Sequence, residues 1–341
     1  MADSPPENSD FDTKIDALRD LLLTENDPRF EPDELISCKS CSRTNPPSRT
    51  ACLYCGNPFE VASLRTDLAK INYQRPEAWE DGFSLVFAGK PELSGEVVEA
   101  ASELLQLDID MLSQILEVSV PAPIIYLRSL PDAGLLASRL SEKRFDCAVV
   151  GDDLLQAKVP PSRVRSIRFE NEAALLEDFN TGQINEIKNN EKTLFVVGTI
   201  VRASTEISGK VSKKAMKNVE ETHGFTDETV VDIYPPADVY GFRVRSSGFD
   251  FSCLGEKMQR FAGANMAELI NEFHSRFRSA SFIESFSMIA PLISTIWPVD
   301  EVKQGSSVTR GPLGGVHKQT VTLLDNTTQF TKFSRLQRHF I

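Results

Sequence analysis

No run of apolar residues approaches the roughly 18–20 that a membrane-crossing helix needs. Histidine is scarce, with four in 341 residues. His223, His274, His317 and His339 do not stand at metal-ligand or dyad spacing from one another. A P-loop, a GxGxxG after a strand, a GxSxG elbow and an HExxH pair are all missing. These absences remove the common signatures of nucleotide binding, serine hydrolysis and zinc-dependent proteolysis. The opening MADSPPENSDFD lacks the basic start and apolar stretch of a secretion signal, so the expectation is a cytoplasmic protein. Basic charge is short as well: 37 Lys and Arg face 49 Asp and Glu, a formal charge of −12. Residues 1–35 carry eleven of those carboxylates against three bases, so the remainder is near neutral. Global charge therefore neither favours nor removes nucleic acid as a partner.

Six cysteines are present, and four of them fall between positions 38 and 55. A secreted disulfide scaffold is usually shorter and denser in cysteine. Paired CxxC motifs without a secretion signal point instead to metal ligation in a reducing compartment. The spacing is Cys38-x2-Cys41-x10-Cys52-x2-Cys55. Each CxxC turn sets two thiolates on one side of a tight knuckle, and two facing knuckles close a tetrahedral shell around one structural Zn2+. Asn45, Pro46 and Pro47 suit a compact reversal between them, and Gly56 follows the last ligand where permissive dihedrals are needed. Four thiolates leave no open position for water or substrate. The site's formal charge of −2 has Lys39, Arg43 and Arg49 nearby, able to offset it or to meet a phosphate backbone. Cys147 and Cys253 sit in apolar runs and read as buried small hydrophobes.

The ribbon segment resembles the zinc ribbons common in bacterial proteins, whose usual form is CxxCGxxNPPGAxFCxxCGxPL. Asn45, Pro46, Pro47, Cys52, Cys55, Gly56 and Pro58 agree with that form, while Ser42 replaces the glycine after the second cysteine and Ala51 the aromatic before the third. The spacing also fits the RanBP2-type finger, but Ile36 stands where that finger has tryptophan. Its RNA or ubiquitin recognition is therefore not carried over.

Around the ribbon the pattern divides the chain into an α+β, multidomain architecture. Residues 1–9 are polar and expected to be disordered, and 10–35 form an acidic amphipathic helix and linker, with Asp10 as N-cap and Phe11, Ile15, Leu18 and Leu22 on one face. The ribbon spans 36–60. A helix and linker over 61–82 carries Val61, Leu64, Leu68 and Ile71 on one side. Between 83 and 158 the order reads β-α-α-β-α-β, with Asp108 and the Pro131–Asp132 pair marking helix starts. That order makes a small two-layer domain and resembles the C-terminal domain of the ribosomal protein L7/L12. The resemblance implies the topology alone, because that domain's basic helical surface is missing here. Residues 159–341 are rich in short strands with turn signals at Asn180–Thr181–Gly182 and Ser247–Gly248. They end in an amphipathic helix bearing Met266, Leu269, Ile270, Phe273 and Phe277, a second buried helix anchored by Trp297, and a tail. About seven strands closed by one helix resemble a pleckstrin-homology-like (PH-like) barrel with a capping helix. The stretch 209–228, with Lys210, Lys213, Lys214 and Lys217, reads as a polar insertion between strands.

Catalytic candidates are thin. Asp152–Asp153 and Glu220–Glu221 are adjacent carboxylates, and neighbours on a chain usually face apart. Asp232, followed by Arg243 and Arg245, has part of a nuclease metal pattern, without the second acid and lysine on the next strand. Lys332, Arg335 and Arg338 interleave with Phe330, Phe333 and Phe340, an arrangement that could stack on nucleic acid or dock on the acidic N-terminus. The expectation is a non-enzymatic zinc-binding protein mediating protein–protein association or scaffolding. The alternative is a nucleic-acid-binding protein using the zinc ribbon and the basic tail.

Overall fold

The computed structural model describes residues 30–60, 63–64, 69–77, 79–88, 93–211, 216–236, 238–310 and 316–341. The amphipathic helix expected from Asp10 to Leu22 lies outside these residues, as do Val61 and Leu68. The chain divides into two compact units, Met1–Asn72 and Tyr73–Ile341.

In the first unit, residues 32–34 form a turn. Two-residue strands β1 (Ile36–Ser37) and β2 (Thr44–Asn45) pair antiparallel. Strands this short supply little on their own. Their core is Cys38, Cys52, Phe59 and Leu64, with Ile36 and Cys41 packed beside it. A core of that size needs a metal or disulfides to hold it.

The second unit opens with β3 (Phe83–Phe87), α1 (Gly95–Leu105), α2 (Ile109–Glu117), β4 (Ala122–Leu127), α3 (Leu130–Glu142), β5 (Ala148–Gly151) and the single turn α4 (Asp152–Leu155). The helix starts are chemical. Asp108 accepts from the N–H groups of Asp110 (3.0 Å) and Met111 (3.1 Å) ahead of α2. Ser129 accepts from Asp132 (3.4 Å) ahead of α3, where Pro131 lies in the first turn. The three strands order as β4-β3-β5, all antiparallel. Leu135, Leu136 and Leu140 of α3 are buried, as their spacing requires.

A nine-stranded sheet follows: β6 (Ser162–Phe169), β7 (Ala173–Asp178), β8 (Ile184–Lys188), β9 (Leu194–Val211), β10 (Met216–Tyr234), β11 (Phe242–Arg245), β12 (Ser281–Ile283), β13 (Asp300–Arg310) and β14 (Val316–Asp325). Its order is β13-β14-β9-β10-β11-β6-β7-β8, with β12 parallel beside the start of β9. The sheet is large and curled, and two expectations are corrected by it. Residues 209–228 are not an insertion, because most of them continue the β9–β10 hairpin. The apolar run FDFSCLG, inside the region read as short strands, is instead a 3₁₀ segment over Phe251–Lys257, because the Asp250 carboxylate caps Ser252 N–H (2.9 Å) and Gly255 takes a left-handed φ of 53°.

Helix α5 (Ala262–Arg276) closes the main core. Met266, Leu269, Phe273 and the following Phe277 pack with Phe195, Val231, Ile233 and Val244 of the sheet. Helix α6 (Phe286–Ile293) buries Phe286, Ile289 and Ile293. Trp297 beyond it is buried and donates its indole N–H to Ser84 Oγ of β3 (2.9 Å).

The expected basic tail is the largest departure. It forms helix α7 (Thr327–Phe340), with Phe330, Phe333 and Leu336 fully buried. Gly198 of β9 leaves the room it needs, since a Cβ there would lie 2.4 Å from the Phe330 ring and 2.9 Å from Phe286. Asn326, just before α7, continues the β9 ladder with its side chain: Oδ1 accepts from Val201 N–H (2.7 Å) and the amide donates to Thr199 C=O (3.2 Å).

Candidate metal centre

The two knuckles have the same backbone construction. Cys38 N–H donates to Arg43 C=O (2.9 Å), and Ser42 N–H returns to Cys38 C=O (2.8 Å). Fourteen positions on, Cys52 N–H donates to Asn57 C=O (2.9 Å), and Gly56 N–H returns to Cys52 C=O (3.0 Å). Each turn needs a left-handed residue after its second cysteine. Gly56 supplies one at φ 71°, and Ser42 takes the same conformation at φ 59° in place of the ribbon glycine.

The four sulfurs lie within 4.8 Å of one another. Two of the contacts cross between knuckles, Cys38 to Cys55 and Cys41 to Cys52, both at 3.6 Å. A tetrahedron with metal–sulfur bonds of about 2.3 Å has edges of about 3.8 Å, so the spacing matches one shared ion. Cys38 and Cys52 are buried, Cys41 is half-buried and Cys55 is exposed. Among the described residues no other group of three or more His, Cys, Asp or Glu side chains converges in this way.

Asn45, fully buried, ties the two halves together. Its amide donates to Arg43 C=O (2.9 Å) and Cys52 Sγ (3.5 Å), and its Oδ1 accepts from Leu53 N–H (2.8 Å). Tyr54 N–H also points at Cys52 Sγ (3.4 Å). Burial pushes the Cys52 thiol up, but the N–H groups of Tyr54 and Cys55, with Cys41 and Asn45, outweigh it and bring the pKa to about 6. Thiolate character at this sulfur is what a divalent cation requires. Of the nearby bases, Lys39 pairs with Glu60 (2.6 Å), and Arg43 lies over the Tyr54 ring at 4.6 Å. Arg49 is exposed.

Elsewhere the candidates go to structural uses. Asp232 and Arg243 are cross-strand partners on β10 and β11, and they form a buried two-bond ion pair (2.6 and 2.8 Å). Arg245 pairs with Glu228. Neither acid is left free for a nuclease-type metal. His274 bonds Glu284 (2.8 Å) on the surface, and His223 lies 3.7 Å from exposed Glu221. Burial pushes Cys147 up to about 12 and Cys253 up to about 11, which removes them as nucleophiles at neutral pH. Asp152 and Asp153 do face apart: Asp153 is exposed, while Asp152 turns inward to Tyr126 Oη, Gly82 N–H (3.2 Å) and Lys332 Nζ (2.8 Å). Sequence reading missed that cluster, whose members run from position 82 to position 332.

The tail's bases are also engaged. Arg335 donates to the carbonyls of Leu155 (3.0 Å), Gln156, Val159 (2.6 Å) and Tyr240 (3.4 Å), and Arg338 to Pro236 C=O (2.6 Å). With Phe330 and Phe333 at zero exposure and Phe340 half-buried, two of the three interleaved aromatics are core and have no face free to stack on a base. Among the described residues no helix is long and apolar enough to cross a membrane. No family model, curated protein or solved structure matches this chain.

Proposed function

We propose that the chain is a non-enzymatic zinc-binding protein whose work is association with another protein. The observation that carries the reading is the closed sulfur cluster: four cysteine sulfurs around one point use every position a tetrahedral ion offers. Zinc is favoured over other soft-ligand metals because it has no redox chemistry and prefers a closed four-sulfur site. The metal then serves to fold residues 36–60 as a ribbon. Residues 83–158 act as an L7/L12-like module and 159–341 as a β-rich, PH-like one. Six free cysteines suit a reducing compartment, and the cytoplasm is the proposed location. The second knuckle supplies a contact surface, with Leu53 and Tyr54 each more than half exposed at its tip.

Nucleic acid is the weaker reading, because the basic aromatic tail on which it leaned is buried in α7. Two measurements on the full chain decide. Elemental analysis should give one zinc per chain, lost in Cys52→Ser. A partner identified by gentle co-purification should bind the purified chain and be weakened by Leu53→Ser with Tyr54→Ser. A metal-free chain overturns the zinc assignment. Steeply salt-dependent binding to nucleic acid with no protein partner overturns the association reading.

A further inference from the structure

The second unit contains a cavity of about 870 Å³, within the range of small-molecule sites. It opens where residues 75–77 and 80–81, α4 and the residues after it, the 296–302 segment and α7 come together. Its floor is built and locked. The Asp152 carboxylate takes the Tyr126 hydroxyl, Gly82 N–H and the Lys332 ammonium. That ammonium lies 4.7 Å from the Tyr126 ring centre and 5.7 Å from that of Trp297. The Asp152 side chain is 8 % exposed and that of Lys332 15 %, so the two buried charges cancel one another.

The walls do not cancel. Lys158 is paired with Asp81 (2.6 Å), and Glu80 with Arg128 from outside the cavity (2.5 Å). Glu77, Asp153 and Asp300 line the space with no cationic partner among the described residues, against Arg75 alone of the opposite sign. Carboxylates around a low-dielectric recess focus negative potential into it. Glu77 and Glu80, joined by Glu80 N–H to Glu77 C=O (2.9 Å), both stand in the wall. Val159, Ile296 and Val302 give the recess an apolar side.

We propose that this cavity binds an organic cation: an alkylammonium or guanidinium group on an apolar stem. The wall carboxylates hold the charge, and the apolar side takes the stem. An anion is disfavoured because two of the three cations in the wall are neutralised internally and the free acids repel it. The proposal concerns the second unit and does not depend on the metal.

Isothermal titration of the zinc-loaded full chain tests it. Agmatine stands for a free small molecule, a short arginine-containing peptide for a side chain of a partner, and phenyl phosphate for an anion. The expected result is saturable, salt-weakened binding of at least one cation and none of phenyl phosphate. Asp153→Asn with Asp300→Asn should weaken it about 5-fold or more, as should Glu77→Gln, with thermal stability unchanged. All three positions are exposed, so loss of fold does not confuse the result. Agmatine without peptide binding identifies a small-molecule site, and the reverse a peptide site. No cation bound up to about 10 mM, a preference for phenyl phosphate, or indifference to all three substitutions overturns the proposal.

Discussion

Asn45 shows how much a single buried amide does in a module with little core. It reaches a carbonyl, a sulfur and an N–H on both sides of the site. Asn45→Ala removes all three, and metal affinity is expected to fall by about 10–100-fold, the range seen when residues behind metal ligands are lost. Competition against a chromophoric chelator measures it. The cysteines and the Asn–Pro–Pro turn were readable because spacing alone sets metal geometry. Ser42 was not: its left-handed turn belongs to the knuckle, and a serine in the string gives no sign of it. Glu228 gives a second residue-scale prediction. Burial pushes its carboxyl up, but Arg245 and Ser247 outweigh it and hold it below the usual range. A folded pKa below the unfolded value stabilises fully above the ordinary carboxylate value of about 4 and loses that contribution as pH falls through the folded one. Glu228→Gln should therefore narrow the gap to wild type as pH drops below about 4, read by denaturant titration at several pH values. A constant gap down to about pH 2 would falsify the linkage.

At the scale of elements, helices with ordinary amphipathic spacing were legible, as in α3, where three leucines point inward and Ser129, Pro131 and Asp132 mark the start. The strands β6 to β11 were legible from apolar runs between turn residues, but their lengths were not. The polar outer halves of β9 and β10 pair through backbone and through β14, which no side-chain pattern announces. Helix α7 failed for the opposite reason. Its Lys, Arg and Gln look like surface, yet they are buried because carbonyls and a carboxylate distant in the chain accept their protons. Gly198 is the matching feature on β9. Gly198→Val should destabilise the second unit by about 1–3 kcal/mol or more, because the new methyls meet Phe330 and Phe286. Thermal or denaturant unfolding checks it, and a neutral result would mean that α7 does not pack as described.

For the whole molecule, two units with separate cores imply separate responses to the metal. The first rests on sulfur, Phe59 and Leu64; the second on a Phe-rich cluster around α5 and the sheet. Chelation is expected to abolish the first unit's structure and leave the second unit's melting unchanged, because metal binding there is folding free energy. Calorimetry with and without chelator reads this directly. A joint collapse would show that the units share their stability. The cavity was not legible beforehand, since it depends on which distant segments meet.

Helix α7 also bears on how the chain reaches its native state. Gln337 bonds Pro121 across 216 positions, Arg335 bonds Leu155 across 180, and Trp297 bonds Ser84 across 213. Loops of that size close late, so folding speed is set by topology rather than by local helix formation. The second unit should refold slowly through partly ordered species in which the β9 face waits, uncovered, for its helix, and chaperone demand follows from that wait.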